Sequence, residues 1–492
     1  MDVPSGEILV GLGEDGAPVT LRLDRANRHG LIAGATGTGK TVTLQVLAEA
    51  FSRAGVPVFA ADVKGDLSGL SQPAQPTDKL RARAQALGVA LNPSGNPAIF
   101  WDLFGAEGHP VRATVSDLGP VLLGRLLQLS DVQAGVLNVV FHVADQEGLL
   151  LLDLDDLQAA LQHVDENARA YGAQYGNVAP ASVAAIQRGL LQMRSAGAEH
   201  LFGEPALKLS DLMRCDTTGR GFVSVLAADK LISDSSLYAV FLLWLMSELF
   251  EALPEVGDPD KPKLVFFFDE AHLLFTDAPK PLLDKVEQVV RLIRSKGVGV
   301  YFVTQNPQDV PDTVLAQLGL RVEHALRAYT PSEQAALKAA ASSFRANPAF
   351  DTAEAIQALG VGEALVSALD ENGAPTVVRK TRIRPPDSRI GPVTADERAA
   401  TMRNSPVAGV YDQAVNRESA FEVLKARTEA KAAAAEAPPA QAPARTPGRP
   451  SLADAMLTSA MRAASSSLGR QVANQVGRAL IRGVLGSLSR GR

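Results

Sequence analysis

The chain has a single cysteine, Cys215, among 492 residues, which excludes an internal disulfide framework and fits a reducing, cytoplasmic setting. No Cys or His stands at ligand spacing from it, so Cys215 is read as a structural residue. The seven histidines are scattered, and no His/Cys metal cage is visible. The opening residues, MDVPSGEILVG, lack the basic and apolar regions of a signal peptide. Long hydrophobic runs are missing too. The most apolar window, 236–253, carries Glu248 and Glu251 and reaches only about the lower length limit of a span, so a buried helix is expected and no integral membrane segment. Nor is there excess positive charge. A net charge of −6 and a pI near 5.8 give no global reason for nucleic-acid binding, which would need a local basic surface such as a pore lined by several subunits.

What is present points to an α/β protein. Hydrophobic residues make up 46% and charged residues 21% of the chain, ordinary for a globular protein long enough for two or three domain-sized units. GLIAGATGTGKTVTLQVLAEAF reads as strand, Gly-rich loop and helix, and VPVFAADVKGD as a second strand ending in a polar loop. KLVFFFDEAH, GVGVYFVTQNP and RVEHALRAY repeat the pattern further on. Apolar runs without polar alternation predict strands covered on both faces, as in a mainly parallel sheet flanked by helices.

The organisation expected is a core half over 1–100, a helical insertion over 101–215, the second core half over 216–390 and a helical extension over 391–436. Residues 437–450, with five prolines, predict a stiff linker. Residues 451–492 carry six arginines against one acid, Asp454. On a helix, four of those arginines spread over ~200°. Such a tail suits DNA, an anionic membrane or a protein partner, or simply a docked helix.

The most specific signal is Gly34, Ala35, Thr36, Gly37, Thr38, Gly39, Lys40 and Thr41, a complete G-x-x-x-x-G-K-[ST] between a strand and a helix. Chance would place this pattern in roughly one or two chains per hundred of this length. Glycines let the backbone turn its N–H groups toward phosphates, and the following helix adds its positive end. Lys40 brings charge to the β- and γ-phosphates, and Thr41 a hydroxyl for Mg²⁺. ATP and Mg²⁺ are therefore the expected ligands.

Hydrolysis also needs a held metal and an activated water. The strand LVFFF is followed by Asp269 and Glu270: the first suits Mg²⁺ and the second suits general base for the attacking water. An acidic helix cap is the plainer reading of the same pair. His272 either orients the γ-phosphate or the water, or packs. Gln305 and Asn306 close the next strand, where an amide can sense the γ-phosphate or serve as an ordinary loop residue.

Together these four blocks, GLIAGATGTGKT, VFAADVKGDLSGL, FFFDEAHLLF and YFVTQNPQDVPDTVLAQLGLRVEHALRAYTPSEQAAL, resemble the HerA-like ATPases of the HerA/FtsK superfamily, and within them the YjgR-type group. The resemblance covers most of 1–390. It implies a RecA-like P-loop NTPase core, a hexameric ring, ATP hydrolysis at subunit interfaces and DNA as the polymer acted on. It makes 34–41 the Walker A loop, Asp269 and Glu270 the Walker B pair, and Gln305 the sensor. An arginine acting across the interface is also implied: Arg294 and Arg321 are favoured over Arg28. The barrel domain ahead of the motor in HerA helicases is not expected, since 33 residues precede Gly34, nor the nuclease partnership that goes with it.

Two functions follow from these features. One is a ring-forming motor ATPase that translocates or remodels DNA. The other is an oligomeric assembly protein whose nucleotide state gates a protein or membrane partner. A small-molecule kinase fits poorly, because a base beside the metal-holding acid speaks for water as nucleophile.

Overall fold

The computed structural model describes residues 5–195, 197–231, 235–275 and 280–436; the expected linker and basic tail lie outside the described residues. Among those residues the strands are β1 Glu7–Gly13, β2 Pro18–Arg22, β3 Gly30–Ala33, β4 Val58–Asp62, β5 Ala98–Asp102, β6 His109–Pro110, β7 Val223–Ala227, β8 Leu264–Phe268, β9 Val298–Thr304, β10 Leu320–Glu323, β11 Glu363–Ser367 and β12 Arg379–Ile383. They form one 12-stranded sheet in the order β2-β1-β12-β11-β10-β3-β9-β8-β4-β7-β5-β6. From β10 to β6 every neighbouring pair is parallel. From β10 through β2 the pairs are antiparallel.

The continuous apolar runs have a physical reason. In β8, Leu264, Phe266 and Phe268 enter one core while Val265 and Phe267 enter another on the opposite face. β9 divides in the same way, with Val300 and Phe302 on one side and Tyr301 and Val303 on the other. Each strand buries both faces, so no polar alternation survives.

The helices supply the covers. α1 Lys40–Arg53 packs Leu44, Leu47 and Phe51 into the second core. Next in the chain come α2 Asp78–Leu87, α3 Val115–Leu126, α4 Asp131–Glu147, α5 Leu154–Glu166, α6 Ala168–Tyr175, α7 Pro180–Ser195 and α8 Leu209–Leu212. Polar residues start them: the Asp153 carboxylate caps α5 by accepting from the Asp155 and Asp156 amides, and Ser130 with Gln133 forms a capping box on α4, as helix starts require. Leu123, Val140, Leu157 and Ile186 from these helices share one core with β8 and β9. The apolar helix α9 Ser235–Ala252 and the amphipathic α10 Lys280–Ile293 complete that layer. α11 Asp312–Leu315, α12 Pro331–Ser342, α13 Thr352–Ala358, α14 Ala395–Arg403 and α15 Ala420–Glu436 follow. Among the described residues no helix is long and apolar enough to cross a membrane, and α9 is buried instead. Cys215 is exposed.

One consequence of the topology positions the site. The parallel strands β10, β3, β9, β8 and β4 are consecutive neighbours, so Glu323, Ala33, Thr304, Phe268 and Asp62 end them along a single edge. Ligands gather at this edge in open α/β sheets.

Candidate nucleotide site at the strand ends

The loop after β3 takes its shape from glycine. Gly34 has φ +144°, and a Cβ there would lie 2.5 Å from the Cβ of His324, so no other residue fits. Gly37 and Gly39 also take positive φ, +79° and +116°. The loop is pinned from outside: Ala35 N–H donates to the Ala325 carbonyl and Gly362 N–H donates to the Thr38 carbonyl, each at 2.9 Å. Lys40, at the start of α1, folds its ammonium back on the loop and donates to the carbonyls of Gly34 at 2.6 Å and Ala35 at 3.1 Å. Burial, with the charge of Lys64 adding, lowers its pKa. Thr41 is half-buried on the next position of the helix.

β8 delivers the acids two strands away. Asp269 is buried, and its Oδ2 has no hydrogen-bond partner among the described residues. Burial, reinforced by the Glu270 charge and opposed by Lys64, pushes its carboxyl up to about 6. Glu270 adopts the left-handed conformation at φ +48°, a strained choice for a residue other than glycine. Its carboxylate is surrounded by three groups. Lys64 Nζ lies 2.5 Å away and His272 Nδ1 3.3 Å away, and the Gln305 amide donates at 3.4 Å. Burial alone would raise this carboxyl; the hydrogen bond and charge of Lys64 outweigh it and hold the group below the usual range.

Gln305, at the end of β9, joins the two halves. Its amide nitrogen faces Glu270, and its oxygen accepts from the Thr36 hydroxyl at 3.3 Å. Asn306 instead caps the turn that follows, accepting from the Gln308 amide.

The three arginines lie elsewhere. Arg28 and Arg294 precede β3 and β9, at the opposite ends of the strands, and share Asp258 at 2.8 and 3.4 Å. Arg321, within β10, donates to the carbonyls of Ser343 and Leu315, both at 3.1 Å. Within one subunit the structure does not bring any of them to the glycine loop.

Several groups at this edge carry no motif in the sequence. Lys64 follows β4 inside VFAADVKGDLSGL, one of the blocks that carry the resemblance, but the sequence reading gives the lysine itself no role. Asp62 is buried, accepts from the amides of Gly65 and Leu67, and is pushed up to about 7, chiefly by burial. Glu323 is buried at the end of β10, with one carboxylate oxygen unpartnered; burial pushes it well above its ordinary range against the pull of Lys40. His324 lies under the glycine loop, bonded to the Thr43 hydroxyl at 2.9 Å, and burial lowers it to about 4.

Comparison with known proteins shows the family and the fold. A family model described as helicase HerA-like C-terminal matches residues 7–492. No curated protein matches the chain. Among solved structures, the plasmid coupling protein TrwB in complex with the non-hydrolysable ATP analogue ADPNP is 17% identical; 79% of this chain and 91% of that chain are covered, with a TM-score of 0.52. TrwB in complex with the GTP analogue GDPNP is similar at 15% identity, 78% and 90% coverage and a TM-score of 0.51. VirB4 of Thermoanaerobacter pseudethanolicus is 16% identical over 77% of this chain and 97% of that chain, with a TM-score of 0.49. These are likenesses of fold.

Proposed function

The chain belongs to the helicase HerA-like C-terminal family, and from that premise we propose that it is a ring-forming motor ATPase, hydrolysing ATP to translocate or remodel DNA. The observation that carries this reading is the bridge from Thr36 through Gln305 to Glu270, which supports reading the glycine loop as a phosphate cradle that works with the acid pair. The TrwB structures of similar fold hold nucleoside triphosphate analogues, which makes that class the substrate to test.

Each residue then has a task. The Ala35 amide is held by Ala325; the amides of Gly37, Gly39, Lys40 and Thr41 serve the phosphates, and Lys40 exchanges two loop carbonyls for phosphate oxygens. The unpartnered Asp269 oxygen and the Thr41 hydroxyl suit magnesium, which when bound supplies positive charge against the phosphate oxygens. Glu270 takes the proton of the attacking water. Gln305, touching both loop and base, registers whether a terminal phosphate is present. Of the arginines expected to act in trans, Arg294 has a side chain 41% exposed, whereas both terminal nitrogens of Arg321 are engaged. Arg294 is the better candidate to serve a neighbouring subunit in a hexamer.

The test is the ATPase rate of the full chain and of a 1–436 truncation, each with and without DNA. DNA should raise the rate of the full chain, and added salt should weaken that stimulation as counterions compete for the phosphates. Lys40→Ala should bind no nucleotide; full activity in that variant overturns the site. The net charge of −6 favours the second reading, a nucleotide-gated assembly protein. DNA without effect on either rate, together with partner capture that needs 451–492, would put it first.

A further inference from the structure

We propose that Lys64 is a γ-phosphate ligand that masks the base in the resting site: it holds Glu270 until a triphosphate arrives, then moves to the terminal phosphate and releases the carboxylate. The proposal rests on the reading of 34–41 as the phosphate cradle and of Glu270 as the base, and adds a residue that the glycine-loop and acid-pair motifs do not include.

Four observations carry it. First, the contact is close: Lys64 Nζ to Glu270 Oε1 is 2.5 Å, against 3.3 Å for His272 and 3.4 Å for Gln305. A carboxylate gripped by an ammonium is a poor proton acceptor, so the structure shows the base in an inactive arrangement. Second, the cation is free to leave. The Lys64 side chain is 40% exposed, and Gly65 beside it takes φ +76° with nothing within 4 Å of its Cβ position. Third, the destination is near. The Glu270 carboxylate that Lys64 grips also takes the Gln305 amide at 3.4 Å, and the oxygen of that same Gln305 accepts from Thr36 of the glycine loop at 3.3 Å, so one side chain separates the ion pair from the expected phosphate cradle. Fourth, the competition favours movement. A terminal phosphate carries more charge than a carboxylate and offers three acceptor oxygens.

The exchange makes and breaks no covalent bond; one ion pair replaces another, and the water proton passes to Glu270 afterwards. Because ADP has no terminal phosphate, Lys64 returns to Glu270 once phosphate leaves. The base is thus exposed by substrate and covered by product.

The measurement is the Kd of the full chain for ADPNP and for ADP, each with Mg²⁺, in the wild type, Lys64→Met and Lys64→Arg. Lys64→Met should weaken ADPNP by about tenfold or more and ADP by no more than about twofold, the range of one charge-assisted contact. Lys64→Arg should restore most of the ADPNP affinity. Equal weakening of both nucleotides, or of neither, overturns the proposal by making Lys64 a structural partner of Glu270. A wild-type chain that binds neither nucleotide would instead sink the ATPase reading itself, and Lys40→Ala serves as the control for a lost cradle.

Discussion

Glu49 and Asp269 are carboxylates buried to nearly the same depth, 0% and 3% exposed, and the fold treats them in opposite ways. Glu49, on α1, is saturated. It pairs with Arg384, accepts from the amides of Asp387 and Ser388 and from the Ser388 hydroxyl, and has Arg53 at 3.8 Å. Asp269 keeps one oxygen idle. Among the described residues, the buried carboxylate oxygens without a partner belong to Asp66, Asp269 and Glu323, and all three lie at the strand-end edge. An unsatisfied buried acceptor costs about 1–3 kcal/mol. The contrast fits a structural role for Glu49 and supports the proposal that Asp269 holds a ligand at the strand-end edge.

The sharpest way to break this contrast is to mutate each side and read both stability and turnover. Glu270→Gln should lower the hydrolysis rate by about 10²–10⁴-fold, since the amide cannot take a proton, with nucleotide affinity retained. Loss of ATP binding would move Glu270 to a structural role. Glu49→Ala should do the reverse. It leaves Arg384 in the interior with only the longer Asp387 contact at 3.4 Å and should cost about 3 kcal/mol in urea unfolding, with ADPNP affinity of the folded protein unchanged.

A third buried group tests whether saturation is general away from the site. His29, at the start of β3, donates from Nε2 to the Val290 carbonyl at 2.8 Å and accepts on Nδ1 from Val300 N–H at 3.0 Å. That arrangement requires the neutral ring, and burial lowers its pKa to about 4. Below about pH 6.5 the unfolded chain takes up a proton that the folded chain refuses until about 4. Stability is therefore full above 6.5 and falls as pH drops toward 4, by up to about 3 kcal/mol. His29→Asn, which removes the titrating ring, should flatten the slope between about pH 7 and 4.5. An unchanged slope would assign it to other groups. The smallest effect belongs to the loop. Gly37→Ala meets no atom within 4 Å, so only its φ of +79° opposes the methyl, at about 1 kcal/mol of unfolding free energy.

The sequence reading reaches what is local. The mainly parallel α/β architecture is legible because strands buried on both faces spell unbroken apolar runs, as in LVFFF of β8. The glycine loop is legible because its geometry demands fixed residue types at fixed spacing. Lys64, Glu323 and His324 carry no such signature. They face the site because β10 lies beside β3 and β4 beside β8, and strand order is not written in the strands themselves. The same holds for the antiparallel flank of β11, β12, β1 and β2, where segments such as PVTLR and RKTRI mix polar and apolar residues instead of spelling an unbroken apolar run. The arginines show the converse: each stands close in sequence to a central strand, yet Arg28 and Arg294 sit at strand starts, far from the loop within one subunit.

The central place of β3 has a consequence for how the molecule is made. Gly30 pairs with Tyr301 on one side and Leu320 on the other, so the strand that feeds the glycine loop finds both neighbours only after most of the chain has left the ribosome. Contacts of such long sequence separation form slowly. The glycine loop is therefore among the last features to be completed, and a chain cut before Leu320 would leave it open on one flank. On the proposed function, maturation of the fold itself delays the first turnover until these neighbours are in place.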